Sequence, residues 1–353
     1  MDAPPTIVTK ESTSAAAPDS GGLNGPLRLG VRLAILAAVV LATAVAIVFL
    51  IPEKNDYSLG IGLKHQRLEQ LDTRKIVLVG GSNLSYGVDS KMIQQATGCP
   101  VVNMGMNGYF GVRYLLEEVK AHINPQDIVV LSFEYDNLFK SVDGTPASHL
   151  AITKAYPQIF SYLSFEQKLQ AIAAIPTVAQ LKIMRLISEV IDAVKRPLTG
   201  KSYRAEGPAD MNVIESLKSF TPEGDIIGHL GVVWPFAREE AVVPEGASID
   251  PEMIALMRGF AEEMQKRGAS VVVSYTPFMA EAYDKLQSHL VRFDSMVRSS
   301  PPLIAPSPPS AFVYDESLFF DTVYHLNERG RPLRTQKIID DLQTTLGERA
   351  RCP

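Results

Sequence analysis

The sequence predicts an α/β fold, a parallel sheet covered on both faces by helices and set behind one membrane-spanning helix. Three observations lead there. Short apolar runs at residues 76–79, 101–103, 127–133 and 269–274 alternate with stretches of helical periodicity. Strands buried on both faces read as unbroken apolar runs, and their alternation with helices marks a parallel, three-layer α/β/α arrangement. A separate apolar run of 19 residues, 33–51, is broken only by Thr43 and is long enough to cross a bilayer.

Taken in order, residues 1–28 are rich in Ala, Pro, Ser, Thr and Gly and lack periodic apolar positions, so they read as a disordered tail. Residues 29–52 read as the transmembrane helix, because 19 apolar residues rising 1.5 Å each span about 30 Å. Arg28 and Arg32 precede the run, while Glu53, Lys54 and Asp56 follow it with no positive excess. That asymmetry puts the N-terminus in the cytoplasm and the body, 53–353, outside the cell membrane, which in a Gram-negative host is the periplasm. A cleaved signal peptide is the rival reading, but its apolar part is normally shorter and nearer the N-terminus.

In the body, residues 59–74 approach the first strand with Leu63, Leu68 and Leu71 on one helical face. Asp89 is placed to cap a helix over 90–96 that Gly98 closes. Residues 109–123 read as a helix through Tyr114, Leu115, Val119 and Ile123. The stretch 137–250 interrupts the alternation. Within it, Ser164-Phe-Glu-Gln167 is a capping-box pattern opening a helix that Pro176 interrupts and that resumes to Lys195. Residues 199–250 read as loops, and a segment so long and poor in strands suits a lid or substrate platform. The core pattern resumes with a helix over 252–267 closed by Gly268, a strand, a helix over 279–298, a short strand near 311–314 and a last helix over 333–346.

Composition removes several functions. The net charge is −5 with no Lys/Arg block, which argues against nucleic acid. There is no CxxC or HExxH pattern, so neither a metal nor a cofactor is expected. The two cysteines, Cys99 and Cys352, are read as unpaired, with a bond between them as the alternative. The other histidines, His65, His122, His149, His229 and His289, are isolated in the sequence and read as mostly surface residues.

The chemistry lies at two distant points. Gly80-Gly81-Ser82-Asn83 follows the first strand, and Asp321-Thr-Val-Tyr-His325 follows the last. Open parallel sheets bind ligands at the carboxyl ends of their strands, so these segments can converge. Ser82 alone reads as a turn serine capping a helix; His325 changes that, because a serine hydroxyl becomes a nucleophile when an imidazole can take its proton and a carboxylate orients the imidazole. The run Asn103-Met-Gly105-Met-Asn107-Gly108 lets backbone N–H groups approach a ligand closely, as an oxyanion site needs, although an ordinary Gly-rich turn would read the same. Trp234, Phe236, Tyr203 and His229 are candidates for a sugar platform, against ordinary loop packing.

Gly-Gly-Ser82, the Asn103-x-Gly105-x-x-Gly108 run and Asp321…His325-Leu-Asn-x-x-Gly330 together resemble the SGNH (GDSL-like) hydrolase and acyltransferase superfamily. The anchor and the His-Leu-Asn-Glu-Arg-Gly stretch resemble its membrane-tethered branch of cell-envelope and exopolysaccharide O-acetyltransferases. The resemblance covers about residues 70–135 and 265–346. It implies a flavodoxin-like domain and an acyl-enzyme on Ser82, with His325 as base and Asp321 as its orienting acid. It also implies an oxyanion hole from the N–H groups of Ser82 and Gly105. Its implied partners are a cell-envelope glycan and an acyl donor or a membrane-bound acyltransferase. Two departures stand out. Asp321 lies four residues before His325 instead of three, with Asp315 as a fallback. The family's Gly-x-Asn-Asp block after the third strand reads Ser132-Phe-Glu-Tyr-Asp136-Asn137 here, leaving Asn137 or Asn107 as substitutes. These departures keep open a catalytically degenerate subunit that binds polysaccharide or docks a membrane acyltransferase or synthase.

Overall fold

The computed structural model describes residues 25–53, 56–199, 210–235, 238, 243 and 246–352. The tail at 1–24 lies outside them, and residues 25–28, expected to be part of it, belong to the first helix.

The strands β1 (Ile76–Gly80), β2 (Val101–Asn103), β3 (Ile128–Ser132) and β4 (Ser270–Val273) form one parallel sheet in the order β2-β1-β3-β4. Ile304 extends its far edge by a parallel bridge to Val272, and a second parallel pair joins β5 (Phe278–Met279) to β6 (Val313–Tyr314). Side chains of a strand alternate between faces, and here both faces are buried. Val77, Val79, Val129 and Leu131 enter one core, and Ile76, Leu78, Ile128 and Val130 the other. Each such buried aliphatic side chain stabilises the fold by about 1.5–3 kcal/mol, so an Asp at Val130 would break the second core.

The helices in chain order are α1 (Gly25–Leu50), α2 (Gly60–Gln70), α3 (Ser82–Gly87), α4 (Ser90–Thr97), α5 (Val112–Lys120), α6 (Pro146–Ala155), α7 (Phe165–Thr199), α8 (Met211–Ile214), α9 (Pro251–Lys266), α10 (Ala280–Arg298) and α11 (Gly330–Leu346). One layer packs α5 and α9 on the sheet, the other α4 and α11. The fold is therefore the three-layer α/β arrangement the sequence predicts. Its caps follow from single residues. Asp89 accepts from Met92 N–H at the start of α4, and Gly98, at φ +71°, ends it in the left-handed region. Ser164 and Gln167 exchange side-chain to backbone bonds of 2.8 and 3.1 Å, the reciprocal capping box, at the start of α7. That helix runs on through Pro176 instead of stopping there. Packing of Ala171, Ile175 and Ala179 against Leu150, Ala44 and Val48 offsets the hydrogen bond that proline removes.

Helix α1 is long and apolar enough to cross a membrane, and so, by length and composition, is α7. Part of the 137–250 stretch is woven into the body. Asp225 is buried, pairs with Arg331 at 2.8 Å, and accepts from Asn103 Nδ2 at 2.7 Å and Ser90 Oγ at 2.6 Å. Ile226 N–H donates to Ser85 O beneath α3.

Two further sequence expectations are corrected. Cys99 and Cys352 are disulfide-bonded across 253 residues, because the chain leaving α11 returns to α4 and Cys352 N–H donates to Thr97 O. His65, His149 and His229 are fully buried, not on the surface. His65 stacks on Tyr156 and Tyr162 and lies 3.2 Å from Glu118, which explains how a polar ring is accommodated there.

Candidate active site

Because β1, β2 and β3 are parallel, their carboxyl ends share one edge, and the loops that leave them meet there. Ser82 opens α3 two residues after β1, so its side chain stands at the sheet edge. His325 arrives from the far end of the chain on a hairpin-like loop. Phe320 N–H donates to His325 O, Phe319 bridges Leu326, and His325 N–H donates to Thr322 Oγ1 at 3.0 Å. The loop is thus tied down on both sides of the imidazole.

The three side chains form a hydrogen-bonded series. Ser82 Oγ lies 2.8 Å from His325 Nε2, and His325 Nδ1 lies 2.7 Å from Asp321 Oδ1. With Nδ1–H donating to the carboxylate, Nε2 is free to accept the serine proton. The four-residue separation of Asp321 and His325 is absorbed by the loop, and Asp315 instead caps the turn at Ser317 on the surface. Tyr86 stacks flat on the imidazole, with ring centroids 4.1 Å apart and 4° between planes, and fixes its orientation. Burial pushes the His325 pKa down, but the Asp321 carboxylate and the fields of Glu134 and Glu215 more than offset this and hold it above its ordinary value. Burial likewise raises the Asp321 carboxyl, and the facing imidazole outweighs that and leaves it below the usual carboxylate range.

The floor is held from behind. Arg334 of α11 is completely buried and donates to Asn83 O, Asn83 Oδ1 and Ser132 Oγ at 2.6, 2.7 and 2.8 Å. Burial lowers its pKa to about 10, which leaves it charged. Lys64, also fully buried, donates to Asn103 O, Gly105 O and Ser85 Oγ, and burial brings its pKa down to about 7. His229 packs on Tyr86 and Phe320 and donates to Leu326 O, while burial drives its pKa to about 3 and keeps it neutral.

The residues expected at an oxyanion hole, Gly105, Asn107 and Asn137, differ in what their donors meet. Gly105 N–H is directed at Asn103 Oδ1, at 3.0 Å, and its backbone lies packed on Leu84 beneath the site, so it is not a donor to the pocket. Gly108, three residues on, lines the pocket; among the described residues its N–H and that of Ser82 take no acceptor. Asn107 and Asn137 both line the pocket as well. Asn107 Oδ1 accepts from Tyr109 N–H, and Asn137 Nδ2 gives one proton to Gly108 O at 2.9 Å, keeping a second.

Sequence reasoning missed Glu134. It follows β3 and returns its carboxylate to the serine: Oε1 lies 2.9 Å from Asn83 N and 3.3 Å from Ser82 Oγ. Oε2 is buried without a hydrogen-bond partner, against Gly81 and Gly108, where a Cβ on either glycine would overlap it. The one available signal was an acid immediately after a buried parallel strand, at the ligand-binding edge.

Ser82, His325, Asp321 and Glu134 line a cavity of about 650 Å³, together with Tyr57, Tyr109, Asp136, Lys140 and Tyr324. Asp136 accepts from Lys140 Nζ at 2.8 Å and from Tyr324 OH at 2.7 Å. The candidates for a sugar platform do not gather at the cavity among the described residues. Trp234 packs on Phe320 and His229 is buried beneath Tyr86, while Tyr203 and Phe236 lie outside the described residues. Tyr57, Tyr86, Tyr109 and Tyr324 line the cavity. No cluster of metal-ligating side chains occurs among the described residues.

No protein-family model matches the chain, and no curated protein matches it. Among solved structures it is similar to an acetyl xylan esterase, Est2A, from the rumen bacterium Butyrivibrio proteoclasticus. The identity is 11% and the TM-score 0.34, over 79% of this chain and 66% of that one.

Proposed function

We propose that this protein is a membrane-anchored, serine-dependent O-acyltransferase or carbohydrate esterase of SGNH type. Its body, outside the cell membrane, would act on a cell-envelope or exopolysaccharide sugar. The observation that supports this reading is the series Ser82–His325–Asp321, with contacts of 2.8 and 2.7 Å at the carboxyl edge of a parallel sheet. Ser82 Oγ attacks the acyl carbonyl as its proton passes to His325 Nε2, which then protonates the departing alcohol. A sugar hydroxyl or water, deprotonated by the same imidazole, releases the acyl group. The N–H groups of Ser82 and Gly108, with the side chain of Asn137, are suited to bind the intermediate's oxyanion. Tyrosine faces and paired carboxylates in the cavity suit a polyhydroxyl ring. The acyl donor, or a membrane acyltransferase that loads Ser82, would come from the bilayer side.

One observation favours a second reading, a binding or docking subunit without turnover. The Glu134 carboxyl stands beside Ser82, where an ionised group opposes an oxyanion. A p-nitrophenyl acetate burst in detergent decides between them. A burst of one equivalent that is lost in His325→Ala supports the enzyme; absence of any burst from folded protein supports the subunit.

A further inference from the structure

Helix α7 has two unlike faces. One is buried: Ala171, Ile175 and Ala179 pack with Leu150 of α6 and with Ala44 and Val48 in the last two turns of α1. Flanking it, on the side turned away from the body, are Leu169, Ile172, Ile183, Ile187, Val190 and Val194, each at least 40% exposed. Leu169 and Ile172 are three apart, and Ile183, Ile187, Val190 and Val194 follow three turns on at spacings of four, three and four, so all six lie on one apolar stripe of a helix of 35 residues, about 50 Å long. A stripe of that length on a body in water would be a standing liability for aggregation.

The neighbouring elements say what covers it. Lys182 Nζ donates to Val48 O at 2.9 Å, and Arg185 Nη2 donates to Pro52 O at 3.0 Å, so α7 crosses α1 where its apolar run ends. Lys182, Lys154 and Glu53 gather at the same level. Cations around the end of an apolar helix mark the headgroup zone, the depth at which an amphipathic helix lies in a bilayer. Helix α7 cannot cross that bilayer as a free span, because Gln167 Nε2 donates to Asp143 O and its first half is fixed to α6. We propose that α7 lies along the bilayer surface with this stripe in lipid, a second attachment beside the anchor. The inference rests on the reading of α1 as an anchor.

It has a consequence for the site. Tyr57 and Ser58 line the catalytic cavity only a few residues beyond the end of α1 at Leu50. An extended chain covers about 3.5 Å per residue, which keeps the cavity within about 30 Å of the lipid. A body laid flat by α7 would therefore meet substrates presented at the membrane surface.

The test uses the full-length chain in phosphatidylcholine–phosphatidylglycerol vesicles. Cys99 and Cys352 are paired, so a single introduced cysteine takes an environment-sensitive nitrobenzoxadiazole label. Labels go at Ile187→Cys and Val190→Cys on the stripe, Ser188→Cys beside it, and Val39→Cys in α1. The expected result is quenching by doxyl-lipid at the two stripe positions of about twofold, with none at position 188. Stripe labels quenched only by aqueous iodide, with Val39→Cys quenched by lipid, would overturn the proposal and leave the anchor standing. Loss of lipid quenching at all positions would overturn both. Copy-to-copy crosslinking at Val190→Cys without lipid quenching would assign the stripe to a second copy and overturn the proposal.

Discussion

Glu134 Oε1 lies 3.3 Å from Ser82 Oγ, so the serine hydroxyl faces two acceptors, this carboxylate and His325 Nε2 at 2.8 Å. It has one proton to give. When the proton goes to His325, the serine is poised for attack. When it goes to Glu134, His325 must be protonated and donate instead, and the serine is idle.

The isosteric variant Glu134→Gln separates these states. It keeps the volume against Gly81 and Gly108 and the acceptor for Asn83 N–H, and it removes the negative charge that opposes an oxyanion. Acylation of Ser82 by p-nitrophenyl acetate is expected to rise about tenfold in this variant, read as the burst rate constant. A fall instead would mean that the carboxylate itself serves the reaction.

The pH profile follows from His325. Only the neutral imidazole accepts the serine proton, and Asp321, with Glu134 and Glu215, holds its pKa above the ordinary 6.5. Acylation should therefore rise with pH and reach half its limit above 6.5. Asp321→Asn removes the largest raising influence, so the midpoint should move down, while the limiting rate falls by roughly 10³–10⁴ because the tautomer is no longer fixed. Stopped-flow acylation across the pH range measures both.

Arg334 is an expected weak point of the scaffold. It makes three hydrogen bonds to the Ser82 loop and to β3 from full burial. Hydrogen bonds to charged groups contribute about 1.5–3 kcal/mol each. Arg334→Met should lower stability by about 3 kcal/mol and slow Ser82 acylation even in the fraction that stays folded. Urea unfolding and burst amplitude report the two effects separately.

The disulfide should matter for stability and not for chemistry. It joins residues 253 apart near the amino end of β2, at the edge of the sheet opposite Ser82. Cys352→Ser is expected to cost about 2–5 kcal/mol in unfolding free energy. The acylation rate of the folded protein should be unchanged.

Much of this architecture is legible in the sequence because local signals and burial agree. Residues 76–80 and 128–132 are unbroken apolar runs and are buried strands; Asp89 with Gly98, and Ser164 with Gln167, mark helix ends by their own hydrogen bonds. Ser82, His325 and Asp321 are legible as a set because a parallel sheet brings strand ends together whatever their separation in the chain. Glu134 is not, since nothing local says that its side chain turns back across β1. Gly105 and Gly108 look alike in sequence, and only the bond from Gly105 N–H to Asn103 separates them. Cys99 and Cys352 meet through the path of α11, which spacing does not encode, and Pro176 yields to the packing of α7 on α1 and α6.

The central claim is that Ser82 is an activated nucleophile. Intact-mass measurement of the full-length protein in detergent after exposure to a fluorophosphonate tests it most directly, beside Ser82→Ala. One adduct on the wild type, absent from Ser82→Ala, is the expected result. An unmodified wild type in a folded sample, or an adduct that survives Ser82→Ala, would contradict the account.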